Sequence, residues 1–184
     1  MGMKISNGLK QNNANQNKGD KGGKLILLIE DDALLVKAYE AKFKKEGLNV
    51  WIVTNGTEAL KCVEKDPPAL VLLDLMLPGA SGFDVLRAIK NNEKWKNVSV
   101  VVLTNLGQNQ DIERIKEIGE VKEYIIKANV KMSEIIEKLK GYLAYISVFE
   151  NSSLAGEAFS GVLFVIARIR QLAETKQSQG RAIL

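Results

Sequence analysis

Residues 70–86 read LVLLDLMLPGASGFDVL. The first four, Leu70 to Leu73, are aliphatic without alternation, too few for a helix of ordinary length, and stop at Asp74. A run of that kind is expected of a strand covered on both faces. Past Leu-Met-Leu-Pro, the residues Val85 and Leu86, joined by Ile89, fall at helical spacing. The segment is therefore a strand that ends in a carboxylate and is followed by a helix.

The same unit repeats on either side. Short apolar runs occupy 25–29, 50–53, 98–103 and 124–126. Between them, Leu34, Leu35, Ala38, Ala41 and Phe43 mark one face of a helix closed by Gly47, a residue suited to follow a helix C-terminus. Ala59, Leu60 and Val63 mark a second helix, stopped by Pro67 and Pro68; Ile112, Ile115 and Ile118 mark a fourth; Ile135, Ile136, Leu139 and Leu143 mark a fifth. Five strands alternating with five helices predict parallel βαβ units, right-handed crossovers and a three-layer α/β sandwich over residues 25–146.

The flanks differ in composition. Residues 1–24 are rich in Asn, Gly and Lys with almost no large apolar side chains, so they are expected to be a disordered tail. Residues 147–184 fit no sixth βα unit and are expected to form a helical extension, about 154 to 175, with an apolar centre AFSGVLFVIARI at 158–169. That centre is shorter than the roughly twenty residues needed to span a bilayer, and Arg168 and Arg170 interrupt it. Its aliphatic side chains Val162, Leu163, Val165, Ile166 and Ile169 suit a protein contact better than a lipid surface.

Composition narrows the chemistry. The 184 residues suffice for one domain with a core plus appendages, and not for a two-domain enzyme. Of 26 Lys and Arg, five (Lys4, Lys10, Lys18, Lys21, Lys24) lie in the tail against the single Asp20, which leaves 21 basic and 21 acidic residues elsewhere. The net charge of +4 thus belongs to the tail, and no specific nucleic-acid binding is expected. The chain has no His, which excludes Ser-His and Cys-His catalysis, His-ligated zinc and a phosphohistidine carrier within it. The lone Cys62 cannot form an internal disulfide, and no secretory signal pattern is read at the N-terminus, so the protein is expected to be cytoplasmic.

In an open parallel sheet, ligands bind beyond the carboxyl ends of the strands. The first run ends in Glu30, Asp31 and Asp32, the third in Asp74, the fourth in Thr104 and the fifth in Lys127. If the first and third strands are neighbours, Glu30 or Asp31 gathers with Asp74 at one rim, a repulsive arrangement unless a cation joins it. All-oxygen ligation of that kind suits Mg²⁺. Asp31 or Asp32 serves equally well to cap the first helix. An ionised Asp74 beside Mg²⁺, the Lys127 ammonium and the Thr104 hydroxyl is a candidate nucleophile toward phosphorus. Taken together the four strand ends form one phosphate and metal set.

With those residues in place, ILLIEDD, LVLLDLMLPGASGFDVL, VVLTN and EYIIK resemble the receiver domain of two-component response regulators across 25–146. The resemblance implies a flavodoxin-like, doubly wound five-stranded parallel sheet in the order 2-1-3-4-5, and phosphoryl transfer from a partner histidine kinase or phosphotransfer protein followed by slow hydrolysis. It implies that Asp74 is the phosphoacceptor, Glu30 and Asp31 the acidic pair with Asp31 the direct Mg²⁺ ligand, and Met76 the backbone-carbonyl ligand. Asp32 then begins the helix. Thr104 matches the switch hydroxyl, Tyr124 the switch aromatic and Lys127 the phosphate-binding lysine.

Two positions depart from the family pattern: Ala128 stands where Pro is usual, so a trans bond and a different loop are expected, and Asn105 replaces a smaller residue. The expected output is an unknown downstream protein target. The candidate homodimer contacts are 155–173 or the face of the fourth helix, fifth strand and fifth helix. Two other functions fit some of the residues: a receiver-like adaptor that is not phosphorylated, and a metal-dependent phosphohydrolase working through an aspartyl phosphate.

Overall fold

The computed structural model describes residues 23–105 and 109–151. The expectations for the tail and for 152–184, including the homodimer contact at 155–173, lie outside the described residues. In chain order the elements are β1 (Leu25–Ile29), α1 (Ala33–Lys45), β2 (Asn49–Val53), α2 (Gly56–Cys62), β3 (Leu70–Leu73), α3 (Gly82–Asn91), β4 (Ser99–Thr104), α4 (Asn109–Ile118), β5 (Glu123–Ile126) and α5 (Met132–Asn151), with one 3-10 turn at Lys127–Asn129.

All strand pairs are parallel and the order is β2-β1-β3-β4-β5. The runs without alternation are explained by two cores that share the central strands. Leu27, Ile29, Val71, Leu73, Val100 and Val102 face one core with residues of α2, α3 and α4. Ile26, Leu28, Leu70, Leu72, Val101 and Leu103 face the other with α1 and α5. Each fully buried Leu or Ile contributes about 1.5–3 kcal/mol, so the central strands need apolar residues at every position. Edge strands β2 and β5 are only half-buried along most of their length.

Local details differ from the sequence reading on α1 and α2, and a third was not read from the sequence. On α1 the buried side chains are Tyr39 and Phe43, stacked at 5.9 Å, with Leu35 packed against the same core, while Leu34 is 78% exposed. The inward stripe runs through positions four apart rather than through Leu34 and Ala38. Helix α2 ends at Cys62 with its cap at Val63, before Pro67. Trp95, in the loop after α3, is fully buried and donates its indole N–H to the Lys65 carbonyl at 2.9 Å, closing the space that follows α2.

Helix α5 continues past residue 146 to Asn151, and the chain divides into two units between Leu143 and Ala144, inside that helix. Of the second unit the described part is the end of α5, residues 144–151. Among the described residues no helix is long and apolar enough to cross a membrane.

Candidate functional site

Strand register brings the site together. Ile29 pairs with Leu73, so Glu30 and Asp74 leave adjacent strands side by side, and the Asp74 N–H still donates to the Ile29 carbonyl at 2.9 Å. Thr104 pairs with Ile126, which places Lys127 one step beyond it. Parallel strands share a direction, so all four polar ends emerge at one edge of the sheet.

The loop after β3 is held by close backbone approach. The Gly56 N–H donates to the Pro78 carbonyl at 3.1 Å and the Gly82 N–H to the Leu75 carbonyl at 3.0 Å. A Cβ on Gly82 would lie 2.2 Å from the Asp74 carbonyl oxygen, so the start of α3 rests directly on the backbone of Asp74. Ser81 caps α3 through a reciprocal capping box with Asp84.

Asp74 is 5% exposed and Glu30 1% exposed, and Lys127 reaches both: its Nζ is 2.5 Å from Asp74 Oδ2 and 2.6 Å from Glu30 Oε2. The second oxygen of each carboxylate accepts a backbone N–H, from Met76 to Asp74 Oδ1 at 3.0 Å and from Asp32 to Glu30 Oε1 at 3.3 Å. Burial pushes the Glu30 carboxyl above its ordinary value, against the opposing pull of Lys127. For Lys127 burial favours the neutral amine, yet the contacts with Asp74 and Glu30 prevail and its pKa is raised. Tyr39 is raised as well, first by burial and then by the charges of Glu30 and Asp74.

Asp32 is the N-cap of α1, its Oδ1 accepting from the Leu34 and Leu35 N–H groups at 2.8 and 3.1 Å. That leaves Asp31, exposed at the mouth, as the third carboxylate. Ligand oxygens of Glu30, Asp31 and Asp74 lie within 4.8 Å of one another. Three carboxylates and one ammonium leave two negative charges, and an all-oxygen set with that deficit fits a hard divalent cation such as Mg²⁺.

These groups line a cleft of about 650 Å³ together with Asp32, Ala33, Leu35, Leu75, Met76, Leu77, Ser81 and Asn105. Met76 is 57% exposed at its rim. Thr104 is fully buried, on the sheet face of Val100 and Val102, and lies outside the cleft lining. Tyr124 pairs with Val102 across β4 and β5 and packs half-buried on the same core. It lines a second cavity of about 400 Å³ with Ile112 and Ile115 of α4, and burial raises its pKa.

The structure thus brings Glu30, Asp31, Asp74, Met76 and Lys127 to one cleft and sets Thr104 and Tyr124 behind it. The peptide bond before Ala128 is trans and the turn there is 3-10. Ser81 and Leu77 were not singled out from the sequence; the S-x-x-D spacing of Ser81 and Asp84 was the available signal for the former.

Residues 26–140 match the family described as the response regulator receiver domain. The chain belongs to that family. The polar-differentiation response regulator DivK of Brucella anthropi is 30% identical over 120 residues, covering 65% of this chain and 96% of that protein. Among solved structures, the receiver domain of the sensor histidine kinase PA1611 from Pseudomonas aeruginosa, which holds a magnesium ion in its active-site cleft, is 27% identical with a TM-score of 0.59, over 66% of this chain and 98% of that one. The phosphorylated cyanobacterial phytochrome response regulator RcpA is 29% identical with a TM-score of 0.56, over 65% and 90%. Receiver domains are signalling switches of two-component systems rather than classical enzymes, and they interact with histidine kinases or phosphotransfer proteins.

Proposed function

We propose that this receiver accepts a phosphoryl group on Asp74 from the phosphohistidine of a partner kinase or phosphotransfer protein, with Mg²⁺ as cofactor. The observation that carries the reading is the clamp at the end of β3: a buried carboxylate held between a lysine ammonium at 2.5 Å and a group of acidic side chains. An Asp74 oxygen forms the new bond to phosphorus as the bond from phosphorus to the donor imidazole nitrogen breaks, and the electron pair leaves with that nitrogen. The Met76 N–H, bonded to Oδ1, fixes the rotation of the carboxylate. Lys127 would follow the negative charge from the carboxylate onto a phosphoryl oxygen, and the Thr104 hydroxyl, buried behind the cleft, would be drawn to another.

Glu30, Asp31 and Asp74, with the Met76 carbonyl, would hold Mg²⁺, and Asp31 rather than the helix-capping Asp32 would be the direct ligand of the acidic pair. When bound, the ion neutralises charge on the phosphoryl oxygens. Water later hydrolyses the acyl phosphate and returns Asp74.

The sheet supports a switch through Thr104 and Tyr124. Thr104 and Tyr124 lie on one face, so a hydroxyl drawn toward the phosphoryl group vacates space into which Tyr124 can turn from the rim of its cavity. That movement would remodel α4, β5 and α5, the surface offered to a downstream protein target or to a second copy.

The test is incubation with a small-molecule phosphodonor, with and without Mg²⁺, followed by intact mass beside Asp74→Asn. The expected result is one phosphoryl gained only with both Mg²⁺ and Asp74. Transfer that persists in Asp74→Asn would overturn the assignment, and no transfer would leave an adaptor that keeps the receiver fold.

A further inference from the structure

Helices α3 and α4 are held to the domain in different ways. Gly82, Phe83, Val85, Leu86 and Ile89 of α3 are buried, and Gly82 lies against the backbone of Asp74, where a Cβ would come within 2.2 Å of the carbonyl oxygen. Among the described residues of α4, Ile115 is the one buried side chain, and the cavity of about 400 Å³ opens beside it. A helix with one buried anchor and open space next to it moves at lower cost than one packed along a whole face. Just beyond α4, at Gly119, the neighbour from α3 is the stem of Lys90, a flexible side chain that gives way easily.

Between the two helices, the Arg114 guanidinium of α4 sits over the ring of Phe83, 4.0 Å from its centroid. Phe83 is 5% exposed, so the ring is fixed and the cation meets its face. Asp84 follows, its carboxyl held below the ordinary value chiefly by its bonds to Ser81, with smaller pulls from Arg87 and Arg114. The guanidinium therefore meets both the ring and the negative charge of the α3 capping box, and Ser81 of that box lines the acidic cleft. One residue of α4 thus reaches the turn that rests on the acceptor's backbone.

We propose that Arg114 on Phe83 is a latch that holds α4 in its unphosphorylated position and is released on phosphorylation, a device that rests on Asp74 being the phosphoacceptor. Tyr124 turning into the cavity pushes on Ile112 and Ile115, the residues of α4 that line it on either side of Arg114 in the chain. Helix α3 cannot follow, because its start is packed on Asp74. The guanidinium then leaves the ring. A contact made only in the unphosphorylated arrangement opposes the switch, so removing it raises the affinity for whatever favours the switched arrangement. Loss of a positive charge would by itself weaken the binding of an anion, so the two effects have opposite signs.

The test is calorimetric titration of the full chain with beryllium fluoride, a mimic of the phosphoryl group, in saturating Mg²⁺. Arg114 is exposed, so its replacement leaves the core intact. Arg114→Gln should bind about 2–5-fold tighter than the native protein, the factor that an exposed cation–π contact is worth. Arg114→Lys, which keeps a cation over the ring, should lie nearer the native affinity. In Phe83→Leu the ring is gone, and adding Arg114→Gln should change nothing further; the Arg114 variants carry the test if position 83 does not tolerate Leu. Equal or weaker binding by Arg114→Gln would overturn the latch and leave Asp74 as the acceptor, as would a tightening that persists in full on the Phe83→Leu background. No binding by the native protein would overturn both.

Discussion

Replacing Lys127 with Met keeps an aliphatic side chain in place and removes the ammonium that lies 2.5 Å from Asp74 and 2.6 Å from Glu30. Two carboxylates that are 5% and 1% exposed then face each other without a cation. Breaking a buried pair by removing one partner costs about 3–5 kcal/mol, most of it from the charge left behind. The cleft opens to solvent beside Asp31, so the lower end, about 3 kcal/mol, is expected near pH 8 with a chelator present. For a unit of this size that is a fall in Tm of about 10–15 °C.

The sign of the pH dependence follows from the same contacts. Glu30 already has a folded pKa above its ordinary value, because burial outweighs Lys127. A carboxyl that binds its proton more tightly when folded lowers stability as pH rises through the interval between its unfolded and folded pKa. Losing Lys127 removes what held Glu30 down and widens that interval upward. Lys127 itself has a raised pKa, so its contribution is fully present below its ordinary value and is lost only in strong alkali; the native protein keeps it throughout the range of the assay.

The deficit of the variant should therefore be larger near pH 8 than near pH 5, and saturating Mg²⁺ should recover part of it by binding the native state. Thermal unfolding of both proteins at the two pH values, with and without Mg²⁺, reads this directly. A variant within about 0.5 kcal/mol of the native protein near pH 8, or an equal deficit at both pH values, would refute the reasoning that Lys127 neutralises two buried carboxylates.

Three further outcomes are expected. Asp32→Ala should cost about 1 kcal/mol through its lost cap while keeping Mg²⁺ stabilisation, whereas Asp31→Ala should leave metal-free stability nearly unchanged and lose the response to Mg²⁺; thermal shift with a Mg²⁺ titration separates them, and the reverse pattern would exchange the two roles. Gly82→Ala should cost about 1–3 kcal/mol and slow phosphoryl acceptance, because its Cβ would lie 2.2 Å from the Asp74 carbonyl and 2.5 Å from Leu75 Cα, so the backbone that moves is the acceptor's own; an unchanged acceptance rate by intact mass would contradict it. Trp95→Phe should lower stability by about 2 kcal/mol, from the lost hydrogen bond to Lys65 and the space left behind, with acceptance on Asp74 unaffected; denaturant unfolding beside the phosphodonor assay measures both.

By itself the sequence determined the five strands within a residue or so, the alternation with helices, and the identity of the strand-end residues. Those features are local: a run such as Leu70 to Leu73 has no polar residue to place on a solvent face, so only a strand inside a sheet accommodates it. Gly47 after α1 was legible for the same reason, since its φ of 67° closes a helix whatever surrounds it. The outward turn of Leu34, the burial of Trp95 and the end of α2 before Pro67 were not legible, because each depends on which neighbouring element covers that position.

Only the tertiary structure decided which of three consecutive acids does what. Glu30, Asp31 and Asp32 are chemically near-identical in the chain, and β1 beside β3 buries the first against Lys127 and Asp74, leaves the second at the mouth of the cleft, and turns the third onto the N-terminus of α1. It also set Thr104 and Tyr124 on one face of the sheet and the Lys127 clamp at its edge, since strand register fixes which side chains share a face. Residue type supplied the groups that chemistry needs, and parallel strand pairing brought Lys127 onto Asp74, 53 residues away along the chain, and onto the still more distant Glu30.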